Sequence, residues 1–204
     1  MEINIGENFI VDAKNFEARA GENTYSNNTK SSSSGGKSNT DSKYYDNTVI
    51  NVGGIFQLTT KEDALFAGVN VTADKINFDI GKNLSIISLQ DEYTSDGKNW
   101  GAGLNVSGKL EGTQFETRSA RPSIGGNYGE NHQDSKWINN QTTIIAENGG
   151  NIKVGETLTN IGAVIGSLSD QNKLSIEANK IVVENLKDHN EGSNYGISVW
   201  YRNR

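Results

Sequence analysis

The feature that most constrains this chain is that it repeats itself at long range. Residues 48–103 and 143–196 agree piece by piece and in order. Thr48-Val49-Ile50 meets Thr143-Ile144-Ile145, and Gly53-Gly54 meets Gly149-Gly150 at a shift of 96. Leu65, Ala67 and Val69 meet Ile161, Ala163 and Ile165 at the same shift. After a two-residue insertion Lys75-Ile76 meets Lys173-Leu174, and Leu84, Leu89 and Asp91 meet Ile181, Leu186 and Asp188 at a shift of 97. The opening segment reads as a third, partial copy, with Ile5-Gly6-Glu7-Asn8-Phe9 set against Ile80-Gly81-Lys82-Asn83-Leu84. A chain built this way stacks similar units, each touching only its neighbours.

Inside a copy the apolar clusters recur about every 20 residues, at Ile50 and Val52, then Val69 and Val71, then Leu89, a spacing that suits one turn of a β-solenoid. The runs themselves are short, rich in Ile, Val, Phe and Thr, and bounded by Gly, Asn and Asp: 48–52, 56–60, 75–80, 84–89, 142–146, 151–154, 173–176 and 180–186. Alternation sends Ile76, Phe78 and Ile80 to one face of a strand and Asn77 and Asp79 to the other. The lone local helix candidate is residues 61–67, Lys-Glu-Asp-Ala-Leu-Phe-Ala, and a turn between strands accounts for it better. Apolar residues make up 33% of the chain, well short of the near half of an ordinary globular domain. A rounded core would be hard to fill from that supply, whereas a solenoid needs only a thin inner file. The expected fold is all-β, a right-handed parallel β-helix.

Each copy departs into a polar segment rich in Gly and Ser: 25–46, from about 92 to 140, and again from 188. At a fixed place in a repeat, such segments read as loops or hairpins extruded from the coil. Disorder is an equal alternative for Ser31 to Ser34 with Gly35-Gly36. Residues 100–107 and 195–201 alternate as hairpin strands do. The expected organisation is a partial coil repeat over 1–24, an extruded loop over 25–47, a repeat over 48–103, a loop or hairpin over 104–142, and a repeat ending in a hairpin over 143–204.

Charge and cysteine content exclude several classes. The net charge is −6 with no run of Lys and Arg, so sequence-independent nucleic-acid binding is not expected, and an acidic surface discourages contact with anionic membranes. There is no cysteine, hence no disulfide framework. Residues 1–20 lack a basic segment followed by an apolar run, and nothing reaches the length of a transmembrane segment. An export signal, if the chain is secreted, is expected to lie elsewhere.

The run Gly68-Val69-Asn70-Val71-Thr72-Ala73-Asp74-Lys75-Ile76-Asn77, with Ile80-Gly81-Lys82-Asn83-Leu84-Ser85-Ile86 and Ser88-Leu89-Gln90-Asp91, resembles the haemagglutinin repeat of filamentous-haemagglutinin-like exoproteins. The same repeat occurs in the related contact-dependent growth-inhibition effectors of two-partner secretion. Gly149-Gly150-Asn151-Ile152-Lys153-Val154, with Gly162-Ala163-Val164-Ile165 and Lys173-Leu174, is similar to its companion part. The resemblance covers most of 48–200 and, more weakly, the residues before 24. It implies a right-handed parallel β-helix, export through an outer-membrane two-partner-secretion pore, and display on the bacterial surface as part of a longer fibre. A secretion domain and any toxin would then lie outside these residues. The partner implied is a receptor or glycan on a host or neighbouring cell. An adhesin and the stalk of a toxin-delivery protein are both open.

Candidate sites are few. Parallel β-helices also carry polysaccharide lyases and hydrolases that use clustered carboxylates with Arg or Lys. Asp79 and Asp91, on neighbouring turns with Arg118 and Arg121 near in sequence, are the residues such chemistry would use, although solvated surface is the ordinary reading. No Ser-His-Asp or Cys-His set can be assembled, so no catalytic residue and no cofactor are expected. His132 and His189 fall in polar segments without partners at metal-ligand spacing, and the calcium-binding glycine-aspartate nonapeptide is absent. Asn27, Asn70, Asn83, Asn105 and Asn140 open Asn-x-Ser/Thr triplets, which arise easily in so polar a chain. Trp100, Trp137, Trp200 and Tyr201 are the candidate partner contacts. They either form an aromatic patch for a sugar or protein, or simply pack hairpins onto the coil.

Overall fold

The computed structural model describes residues 1–31, 35–107, 110–111, 114–115 and 121–202. Among the described residues every element is a strand. Contacts divide the chain into two units, which are described separately. One comprises Met1–Asn23, Lys43–Asp91 and Lys136–Asp188, and the other Thr24–Ser42, Glu92–Ser135 and His189–Arg204.

The first unit is five stacked coils. Coil one is β1 (Glu2–Ile5), β2 (Phe9–Ala13) and β3 (Phe16–Arg19). After the strands β4 (Gly21–Ser31) and β5 (Gly36–Asp46) come coil two, β6 (Thr48–Thr60) and β7 (Ala64–Ala67), and coil three, β8 (Val69–Ile80) and β9 (Leu84–Ile87). Then follow β10 (Asp91–Ser107), the short β11 (Leu110–Glu111) and β12 (Gln114–Phe115), and β13 (Arg121–Trp137). Coil four is β14 (Thr143–Ala146) and β15 (Gly150–Ile161), coil five is β16 (Val164–Ser167) and β17 (Leu174–Glu184), and β18 (His189–Arg202) comes last.

Every described ladder between coils is parallel, in register apart from bulges between Val52 and Ile55 and between Val154 and Thr157, the arrangement of a parallel β-helix. Equivalent positions form columns: Ile3, Ile50, Val71, Ile144 and Ile165 stack in one, and Val11, Leu58, Phe78, Ile152 and Ile176 in another. Coils two and three are offset by 20 or 21 residues, which is the spacing of the apolar clusters. The inner file is apolar because alternate residues of each strand have nowhere else to go: Ile76, Phe78 and Ile80 are buried while Asp79 is exposed. The rings of Phe9, Phe56, Phe78, Phe66 and Phe16 form a continuous stack within it. The aligned columns of the end coils, such as Ile3 and Ile165, are only half-buried, since each lacks a neighbour on one side.

Three details differ from the repeat as read from the sequence. Coils two and four stand 94 residues apart rather than 96. Gly150 pairs with Ile76 and through it with Phe56, not with Gly54. Relative to coil three, coil two carries one extra residue in a bulge between Val52 and Ile55, where an added Cβ at Gly53 would come 2.5 Å from the Gly6 carbonyl oxygen. The matches of Ile76 with Leu174 and Leu84 with Ile181 do share columns. Gly6-Glu7-Asn8 and Gly81-Lys82-Asn83 are corners of the same chemistry at different positions in the coil. Asn8 Oδ1 accepts from Ile55 N and Asn83 Oδ1 from Thr157 N, each one coil on, yet Phe9 lies in the column of Ile76 and not of Leu84. Of residues 61–67, Ala64–Ala67 is strand β7, with Ala64 and Phe66 pointing inward.

The polar segments leave the coil at one corner. Between coils two and three that corner is the single turn at Gly68 (φ 66°), and between coils four and five it is Gly162 (φ 61°), a region only glycine enters cheaply. At the alternate passages the chain runs out into β4 and β5, then into β10 to β13, and finally into β18. Threonine marks re-entry. The Thr48 hydroxyl donates to the Arg19 carbonyl at 2.7 Å. Fully buried Thr142 accepts from Gly68 N and Val69 N and donates to Ile87 O, while its own N–H donates to Ser88 Oγ.

The second unit is a five-stranded sheet in the order β18-β13-β10-β5-β4. Cross-strand neighbours run in opposite directions, as antiparallel pairing demands. Gly97 lies beneath Asn131, Gly129 beneath Asn99 and Gly101 beneath Asn127, so residue numbers rise on one strand as they fall on the other. Of the segment for which disorder was an equal expectation, Gly35 forms a turn at φ 56° and Gly36 opens β5, while Ser32 to Ser34 lie outside the described residues.

Candidate interaction surface

The second unit's sheet sorts its side chains onto two unlike faces. On one face, asparagine amides alternate with glycines: Asn99, Asn127 and Asn131 each cover the glycine across the strand, and Trp200 lies over Gly125 and reaches Gly103. An added Cβ at Gly125 would come 2.2 Å from the Trp200 ring, so this glycine makes room for the indole. The other face begins with charge and becomes apolar. His132 Nδ1 shares a 2.6 Å hydrogen bond with Asp96, which raises the imidazole pKa above its ordinary 6.5. Next along the strands Lys98 binds Glu130 at 2.7 Å, and Tyr128 OH donates to the same carboxylate. These bonds hold the Glu130 carboxyl below the usual range. Beyond them the face carries Trp100, Leu104, Ile124, Tyr128, Ile197 and Val199, all of them exposed, Leu104 at 80%.

The four aromatic residues singled out from the sequence therefore separate. Trp137 belongs to the first unit, half-buried, its ring edge-on to Tyr44 at 6.3 Å. Trp200 is on the asparagine face. Trp100 and Tyr201 are on the apolar face, Trp100 with its indole against Gly35, where an added Cβ would fall 2.1 Å from Nε1. The aliphatic members of that face escaped notice, although the alternation Trp100, Ala102, Leu104, Val106 and Tyr195, Ile197, Val199, Tyr201 marks them.

The carboxylates that β-helix enzyme chemistry would have to use are not a matched pair. Asp79 is exposed, in a column with Thr59 and Lys153. Asp91, expected to project outward, is buried at 2% exposure, and its Oδ1 accepts the Tyr45 amide at 2.8 Å, a structural bond that closes the base of a polar excursion. Arg118 and the side chain of Arg121 lie outside the described residues. His189 stands 4.0 Å from Glu191. Among the described residues no three of His, Cys, Asp and Glu converge as a metal-binding group, and no helix is long and apolar enough to cross a membrane.

Known proteins place this architecture. The family model described as "Hemagglutinin repeat" matches residues 32–102, a stretch that takes in β5, coils two and three, and most of β10. The chain is 29% identical over 151 residues to "Deoxyribonuclease CdiA" of Yersinia pseudotuberculosis, covering 72% of this chain and 13% of that protein. It is 31% identical over 159 residues to "Toxin CdiA" of Escherichia coli, covering 74% of this chain and 5% of the relative. It is 29% identical over 174 residues to "Filamentous hemagglutinin" of Bordetella pertussis, covering 70% and 5%. The chain thus spans a small part of the length of each of these relatives. No solved structure matches. On the combined strength of the stacked parallel coils, the matched repeat and these relatives, the chain is a haemagglutinin-repeat segment of the filamentous-haemagglutinin type, the repeat of two-partner-secretion exoproteins.

Proposed function

We propose that this chain is a non-enzymatic adhesive segment of a secreted, surface-displayed bacterial exoprotein, exported through an outer-membrane two-partner-secretion pore. The coils act as a stiff rod and the extruded sheet as the contact surface. The observation that carries this reading is the split of labour between the units. Large apolar side chains are buried inside the coils, while the sheet leaves a run of them facing solvent. Exposed apolar clusters of that kind mark interaction surfaces. Repeated along a fibre, many weak contacts add up to avidity.

A second role within the same family is the stalk of a toxin-delivery protein, favoured by the relatives named CdiA. The two readings part in an experiment on cells. Labelled chain is expected to bind the surface of host or bacterial cells saturably, and binding is expected to fall at least tenfold in the Leu104→Lys variant. Absence of saturable binding would remove the adhesive role and leave the stalk. Turnover of an acidic polysaccharide that Asp79→Asn abolishes would refute the non-enzymatic assignment.

A further inference from the structure

We infer that the apolar face of the hairpin sheet is a homotypic contact, and that its occupant is the same face of a second copy of this chain. The inference rests on the adhesive reading and names its partner. The face is built on three adjacent strands. Trp100 and Leu104 stand on β10, Ile124 and Tyr128 on β13, and Ile197 and Val199 on β18, with Tyr195 and Tyr201 extending the β18 row. Together these side chains expose roughly 1,000 Å², where a partner in a standard interface contributes about 800 Å². The largest apolar patch on a typical monomer is only about 300–600 Å².

Three features select a second copy over other occupants. Half of the patch is aliphatic: Leu104, Ile124, Ile197 and Val199 offer a sugar no hydrogen bond, which weighs against a glycan. The chain carries −6 overall, which disfavours an anionic lipid surface and would also oppose self-association unless the contact were neutral. The eight side chains of the patch are themselves uncharged, and at its border Lys98 pairs with Glu130 and His132 with Asp96, with Asp134 and Glu191 also near the imidazole. An uncharged apolar surface is complementary to itself, which is the requirement of a two-fold contact. Two such sheets would pack face to face at the ordinary spacing of about 10 Å.

Sedimentation velocity on the 204-residue chain over a wide concentration range tests this. The expected result is a reversible monomer–dimer equilibrium that Ile197→Lys and Leu104→Lys each weaken at least tenfold. Ser198→Lys adds the same charge to the opposite face of β18 and is expected to leave the dimer intact. Far-UV circular dichroism identical to the parent shows that each variant is folded. A chain that is monomeric throughout would overturn the inference. So would association that survives both face variants, or that Ser198→Lys abolishes equally. Binding to cells by a chain that stays monomeric would retain the adhesive reading and discard the homotypic partner.

Discussion

Replacing Phe78 with alanine removes the ring at the centre of the coil's aromatic stack, and the structure fixes what that should cost. Phe78 is 1% exposed and stands between coils two and four, paired with Leu58 on one side and Ile152 on the other. Its ring lies edge-on to Phe56 at 5.1 Å and stacked on Phe66 at 5.6 Å. Truncating a buried phenylalanine costs about 3–5 kcal/mol, transfer and cavity together, and each ring pair contributes about 0.5–1.5 kcal/mol of that. The neighbouring coils are held by their own backbone ladders and have little freedom to collapse into the space, which favours the upper half of the range. With a urea slope of about 2–3 kcal/mol per M, the midpoint falls by roughly 1–2 M. Asp79→Ala, one residue along and facing solvent, should change stability by less than about 0.5 kcal/mol. Because coils touch only their neighbours, lost amide-exchange protection should concentrate in β6, β8 and β15 and spare the strands of the hairpin sheet. Equal effects at Phe78 and Asp79, or a loss below about 1 kcal/mol at Phe78, would refute the stacked-column account of this fold.

Two further outcomes follow from single bonds. Thr142→Val keeps the shape but removes the hydroxyl that serves Gly68 N, Val69 N and Ile87 O; Gly68 N and Ile87 O keep their bond to each other, so the loss falls chiefly on Val69 N. A loss of about 1–3 kcal/mol in urea unfolding is expected, and a change near zero would show the hydroxyl to be dispensable. The His132 imidazole, its pKa raised by the bond to Asp96, should titrate above 6.5 in an NMR experiment and return towards that value in Asp96→Asn. Since the folded pKa lies above the unfolded one, the stabilisation is complete below about pH 6.5 and is lost as pH rises through the raised value. Titration at or below 6.5 with Asp96 intact would contradict the contact.

The coil was legible in the sequence because its determinants are local. A strand buried on one face must alternate, and a turn of about 20 residues must repeat its apolar cluster, so Ile76, Phe78 and Ile80 announced both their strand and their inward direction. The polar excursions were legible as departures from that pattern, and the alternation at 100–107 and 195–201 showed strands within them. Register was not legible to the residue. Glycine pairs invite alignment by identity, yet Gly53-Gly54 is a bulge that adds length at a corner, and Gly149-Gly150 sits over Ile76 because hydrogen-bonded ladders, not residue identity, decide which positions stack.

Only the tertiary structure decided the surface. Whether an aromatic side chain faces a partner, a glycine or another ring depends on which strands pair, and those strands are far apart in the chain. Trp200 is set over Gly125, Trp137 against Tyr44, and Trp100 joins Tyr128 and Ile197 on one face. Asp91 read as a free surface carboxylate because the amide that buries it, Tyr45 N, belongs to a strand 46 residues earlier. Alternation tells a residue which side of its own strand it occupies. It takes the assembled sheet to say what lies on that side.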